Sequence, residues 1–177
     1  MRYFYDCEFI EDGRTIDLIS IGIVAEDGRE YYAVNEKAPW RRIKRHEWLM
    51  ANVVPSLPHG HGDRRMHIPK RWIVDFADAR VKPKWKIATQ VCDFLLSGDD
   101  KPELWAWYAA YDHVCLAQLW GRMIDLPEGI PMYTRDLKQE CDRQGDPALP
   151  EQVDGVHNAL DDARHNLVRA RALGLVT

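Results

Sequence analysis

Apolar residues in this chain fall into short stretches of differing period, and the changes of period mark out its elements. Residues 2–8 mix aromatic and branched side chains, Tyr3, Phe4 and Tyr5, in a pattern that suits a strand. The run LISIGIVA at 18–25 and the stretch 29–34 predict two more strands, with the Asp27-Gly28 pair between them as a hairpin signal. Residues 35–86 are the least regular part, with a short helix expected over 46–53, ended by Pro55, and a loop at PHGHGD, 58–63. A helix over 87–97 then precedes an apolar run, ELWAWY at 103–108, that reads as a buried strand. Leu116, Leu119, Trp120 and Met123 recur at helical spacing and predict a helix over 114–123. Further helices are expected over 134–144, with Gly145 as its stop, and over 158–173, where Leu160, Ala163, Leu167 and Ala170 share one face and Gly174 closes it. This β-β-β-α-β-α-α-α order predicts an α/β fold, a mixed sheet with helices on its faces. A length of 177 residues fits one domain, 1–177, with a full core.

Polar residues that interrupt this pattern carry the candidate chemistry. Strand side chains alternate faces, so Asp6 and Glu8 point the same way and Cys7 the other. Two carboxylates about 7 Å apart along a strand can share one Mg²⁺ or Mn²⁺; an exposed strand end with two solvated acids is the alternative. Asp112 falls at a strand-to-helix turn in WYAAYDHVCL, where ligands bind in α/β sheets or where an aspartate caps a helix. His157 precedes Asp162 by five residues in HNALDDARHNL. On one continuous helix that spacing would set them about 140° apart, so they converge only if His157 lies on a mobile loop and Asp162 on a rigid helix. A solvated loop histidine is the alternative, and Asp161 competes with Asp162 on spacing alone.

Taken together, D-x-E, then Tyr-Asp before a helix, then H-x-x-x-x-D before a C-terminal helix resemble the DEDDh exonuclease superfamily. The segments DCEF, LISIGIV, AAYD and HNALDDA match its first motif, second strand, second motif and third motif, so the resemblance covers nearly the whole chain. It looks closest to small bacterial 3′-to-5′ exoribonucleases, relatives of ribonuclease T and oligoribonuclease. The resemblance implies a ribonuclease-H-like fold and two Mg²⁺ or Mn²⁺ ions held by Asp6, Glu8, Asp112 and Asp162, with His157 as general base. It favours Asp162 over Asp161. It sets Glu8, Phe9, Tyr108, Tyr111 and His157 beside the terminal nucleotide. Phe9 departs from the threonine many members carry after the glutamate, and Tyr108 from the asparagine many carry four residues before the second aspartate. Small relatives often form homodimers, which would place the basic segment of one chain beside the site of the other.

Composition narrows the reading further. No run of about 18 apolar residues exists, so no membrane span is predicted, and MRYFYDCEF reads as a strand, not a signal peptide. Cys7, Cys92, Cys115 and Cys141 show no C-x-x-C spacing, and three lie in expected core elements, which suits reduced thiols in a cytoplasmic protein. The net charge of −4 hides an asymmetry: residues 40–86 carry 12 Lys and Arg against 4 Asp and Glu, and the remainder holds 12 against 24. The basic middle could track a phosphate backbone or be a solvated loop region. Trp40 and Trp85 lie beside basic residues where they could stack on bases, and His59, His61 and His67 read as solvated loop histidines. The function expected is removal of nucleotides from single-stranded RNA 3′ ends or short oligoribonucleotides. Alternatives are the same chemistry on DNA, as in proofreading, and a catalytically silent nucleic-acid-binding module, which would need none of the four carboxylates.

Overall fold

Strict alternation along the first strand decides how the sheet is buried. In the computed structural model, which describes residues 1–59, 74–98 and 100–176, β1 spans Arg2–Glu11, β2 Ile16–Ala25 and β3 Glu30–Asn35. These three strands form an antiparallel meander, and Gly28, at φ +89, turns the second hairpin. Two short helices follow, α1 at Trp40–Ile43 and α2 at Glu47–Asn52, then a 3-10 turn at Val54–Ser56. The remaining elements are β4 (Val81–Lys82), α3 (Lys84–Leu95), β5 (Glu103–Ala106), α4 (Ala110–Ala117), a 3-10 turn at Met123–Asp125, β6 (Arg135–Asp136), α5 (Leu137–Arg143) and α6 (Ala159–Ala172). The sheet order is β4-β3-β2-β1-β5-β6, with β4, β5 and β6 parallel to their neighbours. The architecture is the expected α/β one, a ribonuclease-H-like mixed sheet flanked by helices.

Each face of β1 has its own core. Tyr3, Tyr5 and Cys7 pack with Ile21, Ile23 and Ala33 against Ile87, Val91 and Leu95 of α3 and Cys115 and Leu116 of α4. On the other face Phe4 and Val24 meet Leu137 of α5 and Ala163, Leu167 and Ala170 of α6. A third cluster joins Ile10, Ile19 and Val34 to Ile43 of α1 and Leu49 of α2. Asp6 and Glu8 occupy the α6 face, where the apolar series of β1 breaks off.

A glycine sets how close α6 comes. Gly22 is the cross-strand partner of Asp6, and a Cβ there would stand 2.3 Å from the Ala159 carbonyl oxygen. Only hydrogen fits, so the start of α6 rests on the β2 backbone beside the carboxylates.

Several boundaries differ from those the periodicity predicts. The strand expected to 108 ends at Ala106, because Tyr108 adopts φ +58. The helix expected at 114 begins at Ala110, since its first turn has no apolar period to reveal it. The helix expected at 134 begins at Leu137, where the Asp136 carboxylate accepts the Lys138 N–H at 2.8 Å as a cap.

Two arginines of the basic segment are tied down. Arg42 bridges Asp17 at 2.8 Å and Asp12 at 3.0 Å, and Arg80 pairs with Asp78 at 2.7 Å. The Trp40 indole N–H donates to the Glu36 carbonyl at 2.9 Å and its ring packs on the third cluster. Lys84, Trp85 and Lys86 are exposed at the start of α3. The His59 ring Nε2 donates to the Pro55 carbonyl, 2.9 Å away; His61, His67, Trp72 and the basic residues within 60–73 lie outside the described residues. Among the described residues no helix is long and apolar enough to cross a membrane. The four cysteines are free thiols, and Cys7, Cys115 and Cys141 are buried.

Candidate active site

Four of the sequence-predicted carboxylates interact across three elements. β1 supplies Asp6 and Glu8, α4 supplies Asp112 and α6 supplies Asp162. Burial, then the charges of Asp112, Glu8 and Asp162, push the Asp6 carboxyl well above the usual range. Burial and the charges of Asp162 and Asp112 raise Glu8 from 4.5 to about 8. Asp112 rises from 3.8 to about 7 through burial, although two backbone N–H groups oppose the shift. Burial raises Asp162 as well. Like charges at low dielectric cannot all ionise unaided, so the bare site holds protons that a cation would displace.

Local structure aims each group. The register of β1 against β2 shifts between Glu8 and Phe9, a bulge that turns the strand end where Glu8 points at the others. Asp112 is not the helix cap that its position in the sequence allows. Ala109 holds the cap position without a side-chain bond, and Asp112 lies buried in the first turn of α4, where its Oδ1 accepts the Cys7 N–H at 2.8 Å. That bond ties the second motif to the strand of the first.

The third motif divides where its spacing demands. Asn158 caps α6, its Oδ1 accepting the N–H groups of Leu160 and Asp161 at 3.0 and 3.3 Å, so His157 lies outside the helix and Asp162 in its first turn. The loop is held more firmly than expected. The His157 N–H donates to Asp162 Oδ2 at 3.0 Å, and the Ser56 hydroxyl lies 2.8 Å from the His157 carbonyl oxygen. Asp161 and Asp162 part company: Asp161 pairs with Arg164 at 2.6 Å on the outer side, while Asp162 faces Glu8 and His157. Donor atoms of Glu8, His157 and Asp162 lie within 4.8 Å of one another, close enough to hold one metal ion.

Aromatic residues adjoin two of the carboxylates in sequence, Phe9 beside Glu8 and Tyr111 beside Asp112. Phe9 stacks on Tyr111 with centroids 5.7 Å apart and planes 12° from parallel. Tyr108 is exposed and meets Trp107 edge-on.

Other participants carried no signal in the sequence. Gln152 donates to Asp162 Oδ1 at 2.6 Å. Buried Asn166 donates to the Tyr5 carbonyl at 3.1 Å and accepts from Arg169 at 3.0 Å; Arg169 lies over the Trp107 ring at 4.3 Å, and its charge acts on Asp6 and Asp162. Trp48 of α2 meets the His157 ring edge-on at 4.8 Å. Asn166 and Trp48 act over long sequence separations, and none of these residues breaks a local period.

No family model matches the chain. Two curated proteins from two strains of Mycobacterium tuberculosis, both named 3′-5′ exoribonuclease, are each 45% identical to it over 174 residues, which is 98% of this chain and 93% of theirs. With that identity over nearly the full length of both sequences, the chain belongs to the family of these 3′-5′ exoribonucleases.

Proposed function

We propose that the chain removes nucleotides from the 3′ ends of single-stranded RNA or short oligoribonucleotides by metal-dependent hydrolysis at a DEDDh-type site. The observation that carries this reading is the meeting of Asp6, Glu8, Asp112 and Asp162, each raised by burial, beside His157. Carboxylate oxygens suit hard divalent cations such as Mg²⁺ or Mn²⁺, and a buried like-charge cluster is relieved when they bind. Asp6, Glu8 and Asp162 would hold one ion, and Asp6 with Asp112 the second. When bound, such a pair supplies an activated water and neutralises charge at the phosphate and the leaving 3′-oxygen.

The side chains of this protein do the rest. His157, outside α6, takes the proton of the attacking water as general base. The Cys7 N–H occupies one oxygen of Asp112, and Gln152 and the His157 N–H occupy one oxygen each of Asp162, which fixes how the two carboxylates are turned. Phe9, Tyr111 and Tyr108 offer ring faces on which a terminal base can stack, and Glu8 borders the same nucleotide. The exposed Lys84, Trp85 and Lys86 offer charge and one ring face to a phosphate backbone.

The test uses a 5′-labelled single-stranded RNA and its DNA counterpart. Wild type should shorten the RNA stepwise from the 3′ end with Mg²⁺ or Mn²⁺ and stop in a chelator. Asp6→Ala should lose activity and keep its fold; turnover within about tenfold of wild type would sink the assignment, given that a lost metal is worth far more. Equal rates on DNA would remove the preference for RNA, which requires a contact to the 2′-hydroxyl.

A further inference from the structure

We propose that a cleft between β3 and α3, on the sheet face opposite the carboxylates, is a second binding site that takes a ribonucleoside 5′-monophosphate. Tyr31 of β3 lies across from Ile23, and Ile23 across from Tyr5, in the row that packs on α3. Asp6 and Gly22 belong to the next row, which faces α6. β4 pairs with β3 only at Val34 and Asn35, so among the described residues no strand covers the sheet edge beside Tyr31. The cleft there has a volume of about 420 Å³, within the range of small-molecule sites.

One end of the cleft is cationic. Lys82 is half-buried, with its Nζ 5.1 Å from the centroid of the Tyr31 ring, and the charge of Lys86 acts on it from α3. Neither lysine forms an ion pair among the described residues. Burial and the neighbouring charge both press the Lys82 amine to give up its proton, and a bound anion relieves that pressure. Two neighbouring amines without a counter-charge suit a phosphate, which accepts several charge-assisted bonds at once.

The other end has the opposite character. Lys86, Gln90 and Asp93 share one face of α3 at i, i+4 and i+7. Seven residues set Asp93 about 10 Å along the axis from Lys86, a gap that the two side chains can close on the phosphate and ribose of one nucleotide. A carboxylate only accepts, so exposed Asp93 suits ribose hydroxyls and repels a second phosphate. Between the ends, the Tyr31 hydroxyl donates to Gln90 Oε1 at 3.3 Å, and the Tyr31 and Phe94 rings, centroids 6.0 Å apart, give the cleft an apolar middle for a base. Arg29 is a wall and not a ligand: its Nε donates to Asp27 at 2.8 Å, its Nη1 to the Ser97 hydroxyl at 2.6 Å, and its guanidinium covers Phe94 at 5.4 Å. One anion, hydroxyl donors and a flat ring, in that order, describe a ribonucleoside 5′-monophosphate. The site itself is independent of the proposed reaction, though stepwise hydrolysis of RNA would release its ligand.

The experiment is calorimetry in a chelator at low salt, with AMP as the probe and deoxy-AMP, inorganic phosphate and a single-stranded oligoribonucleotide in parallel. Wild type should bind one AMP per chain, and inorganic phosphate more weakly. Lys82→Met, which keeps the side-chain stem, should weaken AMP about 10–10²-fold, the worth of a charge-assisted bond, and Lys86→Gln should act in the same direction. Asp93→Ala should bring AMP down to the affinity of deoxy-AMP, because a contact to the 2′-hydroxyl is what separates the two. Asp6→Ala should bind AMP as wild type does.

An absence of AMP binding overturns the inference, and so does equal affinity for AMP and inorganic phosphate. Loss of AMP binding in Asp6→Ala overturns it by placing the nucleotide at the carboxylates. An oligoribonucleotide that binds through Lys82 where AMP does not overturns it as well, and makes the cleft a track for an RNA backbone. Binding is read without turnover, so a chain that hydrolysed no RNA would leave these results unchanged and the two proposals fail separately.

Discussion

Replacing Glu8 with glutamine should stabilise the metal-free protein at neutral pH, although it removes a proposed ligand. Glu8 is 8% exposed and its carboxyl is raised from 4.5 to about 8 by burial and by the charges of Asp162 and Asp112. Unfolded, the group titrates near its ordinary value; folded, it holds its proton to about pH 8. The native state therefore binds more protons between pH 4.5 and about 8, and its stability falls as pH rises through that window. At about 1.4 kcal/mol per pH unit, taking the side chain from pH 4.5 to 7 costs the folded state about 3 kcal/mol. Glutamine fills nearly the same volume and carries no charge, so Glu8→Gln removes that cost. In a protein of this size about 3 kcal/mol corresponds to a Tm rise of about 6–12 °C. Thermal unfolding in a chelator, from pH 4 to 8, is the assay. The two proteins should melt together near pH 4 and diverge as pH rises, with the variant higher. Mn²⁺ at about 1,000 times Kd should reverse the order, because it adds about 4.1 kcal/mol to the protein that binds it. A Glu8→Gln protein that melts below wild type at pH 7 without metal, or by a margin independent of pH, would show that the carboxylate is not strained by its neighbours.

Four other outcomes follow from the same geometry. Apparent Mn²⁺ affinity of wild type, measured by calorimetry, should strengthen from pH 6 to 8, about tenfold per pH unit for each proton displaced, because Asp112 and Glu8 hold theirs to about 7 and about 8. Asp162→Asn should abolish RNA hydrolysis while Asp161→Asn stays mild, since Asp161 forms a surface pair with Arg164 worth at most about 1 kcal/mol; the opposite ranking in a turnover assay would mean the wrong aspartate was chosen. Gly22→Ala should cost about 1–3 kcal/mol in denaturant unfolding and lower kcat in the protein that still folds, because a Cβ 2.3 Å from the Ala159 carbonyl oxygen drives α6, and Asp162 with it, away from Asp6; wild-type stability and rate would contradict the packing. Lys84→Glu with Lys86→Glu should weaken RNA binding and flatten its salt dependence without changing Mn²⁺ affinity, and an unchanged salt slope would leave these lysines as solvated surface.

What could be read from the sequence was whatever acts through a local period. Alternation along β1 sets Asp6 and Glu8 on the face opposite Tyr5 and Cys7, and the structure keeps that division down to the separate cores on either side. The five-residue gap from His157 to Asp162 already implied a break between them, and Asn158 makes it by capping α6. Local signals failed where no period exists. The first turn of α4 reads Ala110, Tyr111, Asp112, with no apolar repeat, so the helix appeared to begin later and Asp112 looked like a cap. β4 and β6 are two residues each, too short to alternate. Gly22 carries no mark in the run LISIGIVA, because the helix that crosses it is about 140 residues further along the chain. Ser56 and Trp48 carry no mark at all, because what they touch is about 100 residues away. The chemistry-bearing residues are therefore legible from short range and their supports are not. A substitution scan guided by motifs alone would find the carboxylates and His157 and pass over Gln152, which donates to Asp162, and Ser56, whose hydroxyl meets the His157 carbonyl oxygen.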